Sequence, residues 1–252
     1  MPRPAAPTFP DACERVLRDP DAEHSLYTTL APLFDRLTTE ERVLGEFEAV
    51  RAFAPESGDA LELGCGVGAL LAHLTGRYDR VLGVDPRPAL LRFTAHRAPE
   101  AGVVVGDPER PPTDTQFGTV VSMAAPAAQH GDPEALIDAA VDRLAPGGTL
   151  LLRAVTSEAA VRASTESIGT FRGSGYRLER SVTERPGAEG FELQMGYRVT
   201  NEETRERATT SETIRVEIHD AERLREDARD AGLEDVRLVG SEGTTLLVAH
   251  AP

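Results

Sequence analysis

The sequence predicts an α/β fold built on a doubly wound, mostly parallel sheet, and three observations carry that prediction. Short apolar runs alternate with helical patterns from Ala60 to Val155, an order that places helices against the faces of a parallel sheet. The first run enters the glycine cluster Gly64-Cys65-Gly66-Val67-Gly68, and an apolar helical pattern leaves it. The second run, Arg80-Val81-Leu82-Gly83-Val84-Asp85, ends in a carboxylate about 20 residues later, the spacing of a ribose-binding acid. Glycines two apart let the backbone turn with positive φ and approach a ligand closely, and a helix N-terminus behind such a turn offers N–H groups. The combination reads as a nucleoside-cofactor site.

The elements follow in order. Met1 to Pro10 is proline-rich and is expected to be disordered, with Cys13 in a mobile N-terminal segment. His24 to Leu37 carries Leu26, Tyr27, Leu30, Leu33, Phe34 and Leu37 at helical spacing, with Pro32 placed to break it into two pieces. Thr38-Thr39-Glu40-Glu41 resembles a capping box. The helix behind it sets Val43, Leu44, Phe47, Val50 and Phe53 on one stripe, ended by Pro55 and Gly58. The core strands are expected at Ala60–Leu63, Val81–Asp85, Gly102–Gly106, Phe117–Met123 and Thr149–Val155, with helices at Ala69–Leu74 and Ala89–His96. A further helix follows Asp132-Pro133-Glu134, where a cap, a proline and an acid stand in the favoured order. Pro146-Gly147-Gly148 turns the chain into the fifth strand.

After Val155 the pattern changes. Residues 156–169 read as weakly helical, and Tyr176–Thr183, Phe191–Val199 and Thr210–Ile218 read as antiparallel strands. A helix capped by Asp220 and the strands Val236–Val239 and Thr245–Ala249 complete the core. The 252 residues thus divide into an N-terminal tail and helices (1–56), a Rossmann-like core (57–155 and 220–252) and an antiparallel insertion or lid (156–219).

Composition narrows the function classes. The net charge is −15 and every one of the 27 basic residues is arginine. An acidic surface argues against nucleic-acid binding, which needs cationic stripes. Acidity without lysine points to a halophilic host, whose salt screens the repulsion. No apolar run approaches the ~20 residues of a membrane span. The N-terminus lacks a signal peptide's apolar centre, so a cytoplasmic location is expected. Two cysteines without C-x-x-C spacing support neither a disulfide framework nor a metal site.

The glycine turn alone fits a dinucleotide pattern as well as a G-x-G-x-G pattern. Four further features separate them: Glu62 two residues before the first glycine, Asp107 after the third strand, Leu144-Ala145-Pro146-Gly147-Gly148-Thr149-Leu150 before the fifth, and helices ahead of the glycine strand. Together these resemble the class I S-adenosylmethionine-dependent methyltransferases, over roughly Asp59 to Val155 and more loosely at the C-terminus. Within that superfamily the chain is similar to small-molecule methyltransferases with an antiparallel insertion, some of which methylate amino groups of sugars or small metabolites.

The resemblance implies a seven-stranded sheet of order 3-2-1-4-5-7-6, its last strand antiparallel. It implies that Gly64, Cys65 and Gly66 pass the methionine part of S-adenosyl-L-methionine, and that Glu62 bonds its amino group. Asp85 would take both ribose hydroxyls, Pro86 and Leu90 would flank the adenine, Asp107 would accept from adenine N6, and Pro108 would add a backbone contact. Met123 and Ala124 would lie beside the sulfonium. The chain departs from the pattern at Ala124-Ala125-Pro126-Ala127-Ala128-Gln129-His130, where related chains carry an aromatic and a bulky apolar residue.

For catalysis, His130 is the candidate base, because an imidazole titrates near neutrality; the alternative is a surface-loop histidine. Tyr27 is a candidate to orient cofactor or acceptor, against a plain core aromatic. Arg153 reads as a contact to an anionic acceptor or, more simply, as an ion pair. The partners expected are a small-molecule acceptor, no nucleic acid and no membrane, with a monomer or homodimer. The reaction expected is methyl transfer to N or O. The alternatives are a non-catalytic, regulatory S-adenosylmethionine-binding protein, suggested by the small 124–128 segment, and an NAD-dependent oxidoreductase.

Overall fold

The computed structural model of the chain describes residues 5–123, 132–157, 169–187, 190–241 and 243–252. Strands β1 (Asp59–Leu63), β2 (Arg80–Asp85), β3 (Gly102–Val105), β4 (Phe117–Ser122) and β5 (Leu144–Val155) run parallel. Between them lie helices α4 (Ala69–Leu74), α5 (Pro88–Arg97) and α6 (Pro133–Val141). After α7 (Ala221–Asp230), β10 (Glu234–Ser241) and the antiparallel β11 (Thr244–His250) close the sheet. The seven-stranded order β3-β2-β1-β4-β5-β11-β10 is the predicted one. β1 sits at the point where strand order reverses, with β2 on one side and β4 on the other. Ligands in open α/β sheets bind outside the carboxyl ends of strands at that point.

Strand alternation sorts the core into two layers. Leu61 and Leu63 face α6 and α7, packing with Leu136, Ile137, Leu224 and Ala228. Ala60 faces the other layer, with Val121 and Leu151 against Val43 and Val50 of α3 (Glu40–Phe53) and Leu70, Leu71 and Leu74 of α4. By the same alternation Glu62 and Arg153 belong to the α3 side of the sheet.

Several expectations are corrected. The chain is helical from Phe9: Thr8 accepts from Asp11 N, Asp11 bonds back, and Pro10 stands in the first turn, where proline is tolerated. This helix, α1 (Phe9–Arg18), buries Cys13 completely. The thiol is therefore part of a packed core rather than of a mobile segment, and burial pushes it up to about 12. His24–Leu37 is not one broken helix. Turns lead into α2 (Ala31–Leu37), and Pro32 starts that helix. The cap of α3 is Thr39, which accepts from Arg42 N, so the third helical position is Arg42 and no reciprocal box forms. The buried stripe of α3 is Val43, Glu46 and Val50, while Leu44 is exposed. Pro146-Gly147-Gly148 lies inside β5, where the pairing with β4 shifts register.

The insertion is a four-stranded antiparallel sheet, β6 (Gly169–Gly173), β7 (Tyr176–Pro186), β8 (Gly190–Asn201) and β9 (Arg207–Glu217); β6 was not anticipated. Of the weakly helical expectation, residues 158–168 lie outside the described residues. The ends of the insertion meet where His219 N donates to Val155 O (2.9 Å). One face of the sheet is covered by the N-terminal segment: Leu178, Tyr197, Val199 and Ile214 share a core with Phe9, Cys13, Val16, Leu30 and Leu33. Phe9 is 4 % exposed and lies under the Arg36 guanidinium, 3.9 Å from the ring centroid. Phe9→Ala is therefore expected to cost about 3–5 kcal/mol in urea denaturation. A loss below about 1 kcal/mol would mean that this face tolerates the cavity.

Candidate active site

A cavity of about 300 Å³ opens at the carboxyl ends of β1 and β2. Its floor is the glycine turn. Gly64, Gly66 and Gly68 have φ of 79°, 53° and 72°, the left-handed region that favours glycine. A Cβ on Gly68 would stand 2.5 Å from Thr94 Cγ2, because α5 packs onto the turn and Thr94 Oγ1 donates to Gly66 O (2.7 Å). The turn uses its own amides. Gly64 N and Cys65 N donate to Val84 O, Gly68 N donates to Cys65 O, and Gly66 N donates to Asp85 Oδ2 (2.9 Å). Four amides of the turn are thus bonded within the protein, and α4 behind them is only six residues long.

Of the sequence-predicted cofactor residues, Glu62, Gly64, Cys65, Gly66, Asp85, Pro86, Leu90, Asp107 and Pro108 all line this cavity. Met123 does not. It is 1 % exposed and follows Val121 onto the α3 side, where it packs into the core. Tyr27 lines the cavity, its ring 5.6 Å from that of Phe34 and under the Arg87 guanidinium. Burial, and secondarily Glu212, hold its hydroxyl protonated well above neutrality, so it is a donor rather than a base. His130 and the 124–128 segment lie outside the described residues. Arg153 forms the ion pair, Nη1 to Glu46 Oε1 at 3.0 Å.

The polar wall is mostly acidic. Glu46, Glu62, Asp85, Asp107 and Glu109 line it, against Arg42 and Arg87. Asp85 is 6 % exposed; Oδ1 accepts from Arg87 N (2.8 Å) and Oδ2 from Gly66 N. Burial raises its carboxyl, opposed by these two bonds and the Arg87 charge. Asp107 Oδ1 accepts from Glu109 N (3.0 Å). Glu62 is 2 % exposed, and its Oε2 has no hydrogen-bond partner among the described residues. Burial first, then the neighbouring Glu46 and Asp85 charges, push its carboxyl well above the usual range. Burial and the same acids Glu62 and Asp85 keep Cys65 a neutral thiol. Among the described residues no group of three metal-ligating side chains converges.

Sequence reasoning missed Phe34, Arg42, Glu46 and Arg87 on this wall. One signal was available. Glu46 lies three residues after Val43 and four before Val50, so a charge interrupts an apolar helical stripe.

Comparison with known proteins places this geometry. Residues 60–148 match a family model described as a methyltransferase domain. The structure aligns with DesVI of Streptomyces venezuelae at TM-score 0.72 and 18 % identity, over 92 % of this chain and 100 % of that one. The sugar N-methyltransferase KedS8 of a Streptoalloteichus species aligns at TM-score 0.74 and 20 % identity, over 92 % and 94 %. The fold is a methyltransferase fold. S-adenosylmethionine-bound CalS10, an amino pentose methyltransferase of Micromonospora echinaspora, shares this methyltransferase fold at TM-score 0.70 and 21 % identity, over 92 % and 100 %. No curated protein sequence matches the chain. The match of the methyltransferase fold extends beyond the sheet, because 92 % of the chain cannot be covered without most of the insertion. No helix among the described residues is long and apolar enough to cross a membrane.

Proposed function

We propose that this chain transfers a methyl group from S-adenosyl-L-methionine to an N or O atom of a small acceptor. The observation that carries the reading is the buried Glu62, with an unpartnered oxygen on the wall of an acidic cavity. A buried carboxylate without a partner is costly, and an ammonium group of the bound cofactor relieves that cost. A pyrophosphate fits poorly, because the wall carries five acids and four turn amides are already bonded. This weighs against the NAD reading.

The site residues fit the cofactor part by part. Glu62 lies on β1, Asp85 ends β2 and Asp107 follows β3, and these three strands are neighbours, about 4.8 Å apart per strand. In that order they meet the ammonium, the ribose hydroxyls and the adenine amine, with Pro86 and Leu90 against the adenine. The cofactor supplies a methyl group already activated by a good leaving group. The chain must therefore hold the acceptor in line and exclude water. Tyr27, on the segment between the cavity and the insertion sheet, donates a hydrogen bond toward cofactor or acceptor. The acceptor lies between the strand ends and the 170–219 insertion. An amino group is the favoured acceptor atom, supported by the sugar N-methyltransferase and amino pentose methyltransferase of the same fold. His130 would take the proton released. The lysine-free acidic surface supports a salt-rich cytoplasm as the setting.

Calorimetry with S-adenosylmethionine, S-adenosylhomocysteine and NAD tests the reading. The two sulfur compounds are expected to bind and NAD is not. Tight NAD binding without response to either sulfur compound would overturn it. Incubation with cell extract, followed by mass spectrometry for methylated products, then separates an enzyme from a binding protein.

A further inference from the structure

Helix α3 presents Arg42 and Glu46, four residues apart, to the cavity, and Thr38 lines it from just ahead of the helix. Arg42 and Glu46 do different things there. The Glu46 side chain is 4 % exposed and receives Arg153 from β5 at 3.0 Å, so it is fixed to the sheet. Its Oε1 also stands 3.6 Å from Arg42 Nε. The Arg42 side chain keeps 48 % of its exposure, and its guanidinium has no second acidic partner among the described residues. A guanidinium offers its N–H groups in a planar fork, the geometry that donates to a carboxylate through two parallel bonds. Arg42 lines the same cavity as Glu62, whose Oε2 has no hydrogen-bond partner among the described residues. A cation and an anion therefore stand together where an amino-acid zwitterion would present a carboxylate and an ammonium.

Resting on the cofactor reading above, we propose that Arg42 binds the carboxylate of the cofactor's amino-acid end, and that Glu46 and Arg153 act as positioning residues for it. The local charges support this. Arg42 and Arg153 both pair with Glu46, and Glu62, whose Oε2 has no partner among the described residues, is left to meet the ammonium. The arrangement makes α3 the element that distinguishes a nucleoside carrying a whole amino acid from one that has lost it.

The test compares two ligands that share the adenosine and the thioether: S-adenosylhomocysteine, with the amino acid, and 5′-methylthioadenosine, without it. Binding is measured by calorimetry for the wild type, Arg42→Gln and Arg42→Lys. Arg42→Gln is expected to lose about 10- to 100-fold in affinity for S-adenosylhomocysteine, the scale of a charge-assisted bond. It should leave 5′-methylthioadenosine unchanged. Arg42→Lys should recover part of the loss, keeping the charge without the fork. Equal S-adenosylhomocysteine affinity in Arg42→Gln and wild type would overturn the assignment, as would equal losses for both ligands. Wild-type protein that binds neither compound would overturn the cofactor reading and this assignment with it.

Discussion

Glu62→Gln is expected to stabilise the ligand-free protein at neutral pH and to remove most of its affinity for S-adenosylmethionine. Both effects come from one atom. Glu62 is buried, its Oε2 has no partner among the described residues, and burial with the Glu46 and Asp85 charges raises its carboxyl well above the usual range. An acid whose folded pKa is raised favours folding while both states are protonated, and loses that contribution as pH rises through the folded value. At neutral pH the wild type therefore carries a cost that glutamine lacks, about 1–3 kcal/mol, or roughly 2–4 °C in Tm per kcal/mol for a chain of this size. The sign gives a sharper check: the stability gap between Glu62→Gln and wild type should widen from acid to neutral pH. On binding, an ammonium neutralises the ionised carboxylate, and an amide does not replace that attraction. A gap that does not change with pH, or a variant that binds as the wild type does, would remove Glu62 from the proposed role.

Asp85→Ala is expected to weaken cofactor binding by about 1–3 kcal/mol, about 5- to 150-fold, for a different reason. Asp85 holds the turn as well as facing the cavity: it accepts from Gly66 N at 2.9 Å and Arg87 N at 2.8 Å. Alanine removes the acceptor for both amides together with the partner proposed for the ribose. Since the ribose is common to S-adenosylhomocysteine and 5′-methylthioadenosine, both should lose affinity, in contrast to the Arg42→Gln pattern. Calorimetry with the two ligands reads the difference. Undiminished affinity for either would take Asp85 out of the site.

The strands around the turn were legible because their patterns are local. Asp59–Leu63 and Phe117–Ser122 each carry three apolar residues in a window of five or six, and both strands are almost wholly buried. Asp132-Pro133-Glu134 marks a helix start by chemistry that needs no tertiary contact, and Asp132 Oδ1 does accept from Glu134 N. Where expectation failed, a long-range partner decided. Leu44 looked like a core residue, yet it is exposed and α3 turns Glu46 inward, where Arg153, 107 residues later, meets it. The segment around Cys13 looked mobile, yet α1 forms there because the insertion sheet offers an apolar face to cover. A ten-residue helix is marginal alone and depends on such packing. Glu212 makes the same point: its Oε1 takes Leu26 N at 2.9 Å and the Tyr197 hydroxyl at 2.7 Å. It thereby ties the insertion to the segment that carries Tyr27 into the cavity.

By itself the sequence determined the fold class, the strand order implied by the resemblance, and the glycine turn with acids on three successive strands. The fold class and the glycine turn follow from apolar periodicity, glycine conformation and spacing, all properties of short windows, whereas the strand order came with the resemblance alone. Only the tertiary structure decided that the turn's amides are bonded internally, that Glu62 keeps an unpartnered oxygen, and that α3 brings Arg42 and Glu46 to the same wall. The physical reason is that a buried charge takes its meaning from what surrounds it in space, and those surroundings come from α3, β1, β2 and β5 together.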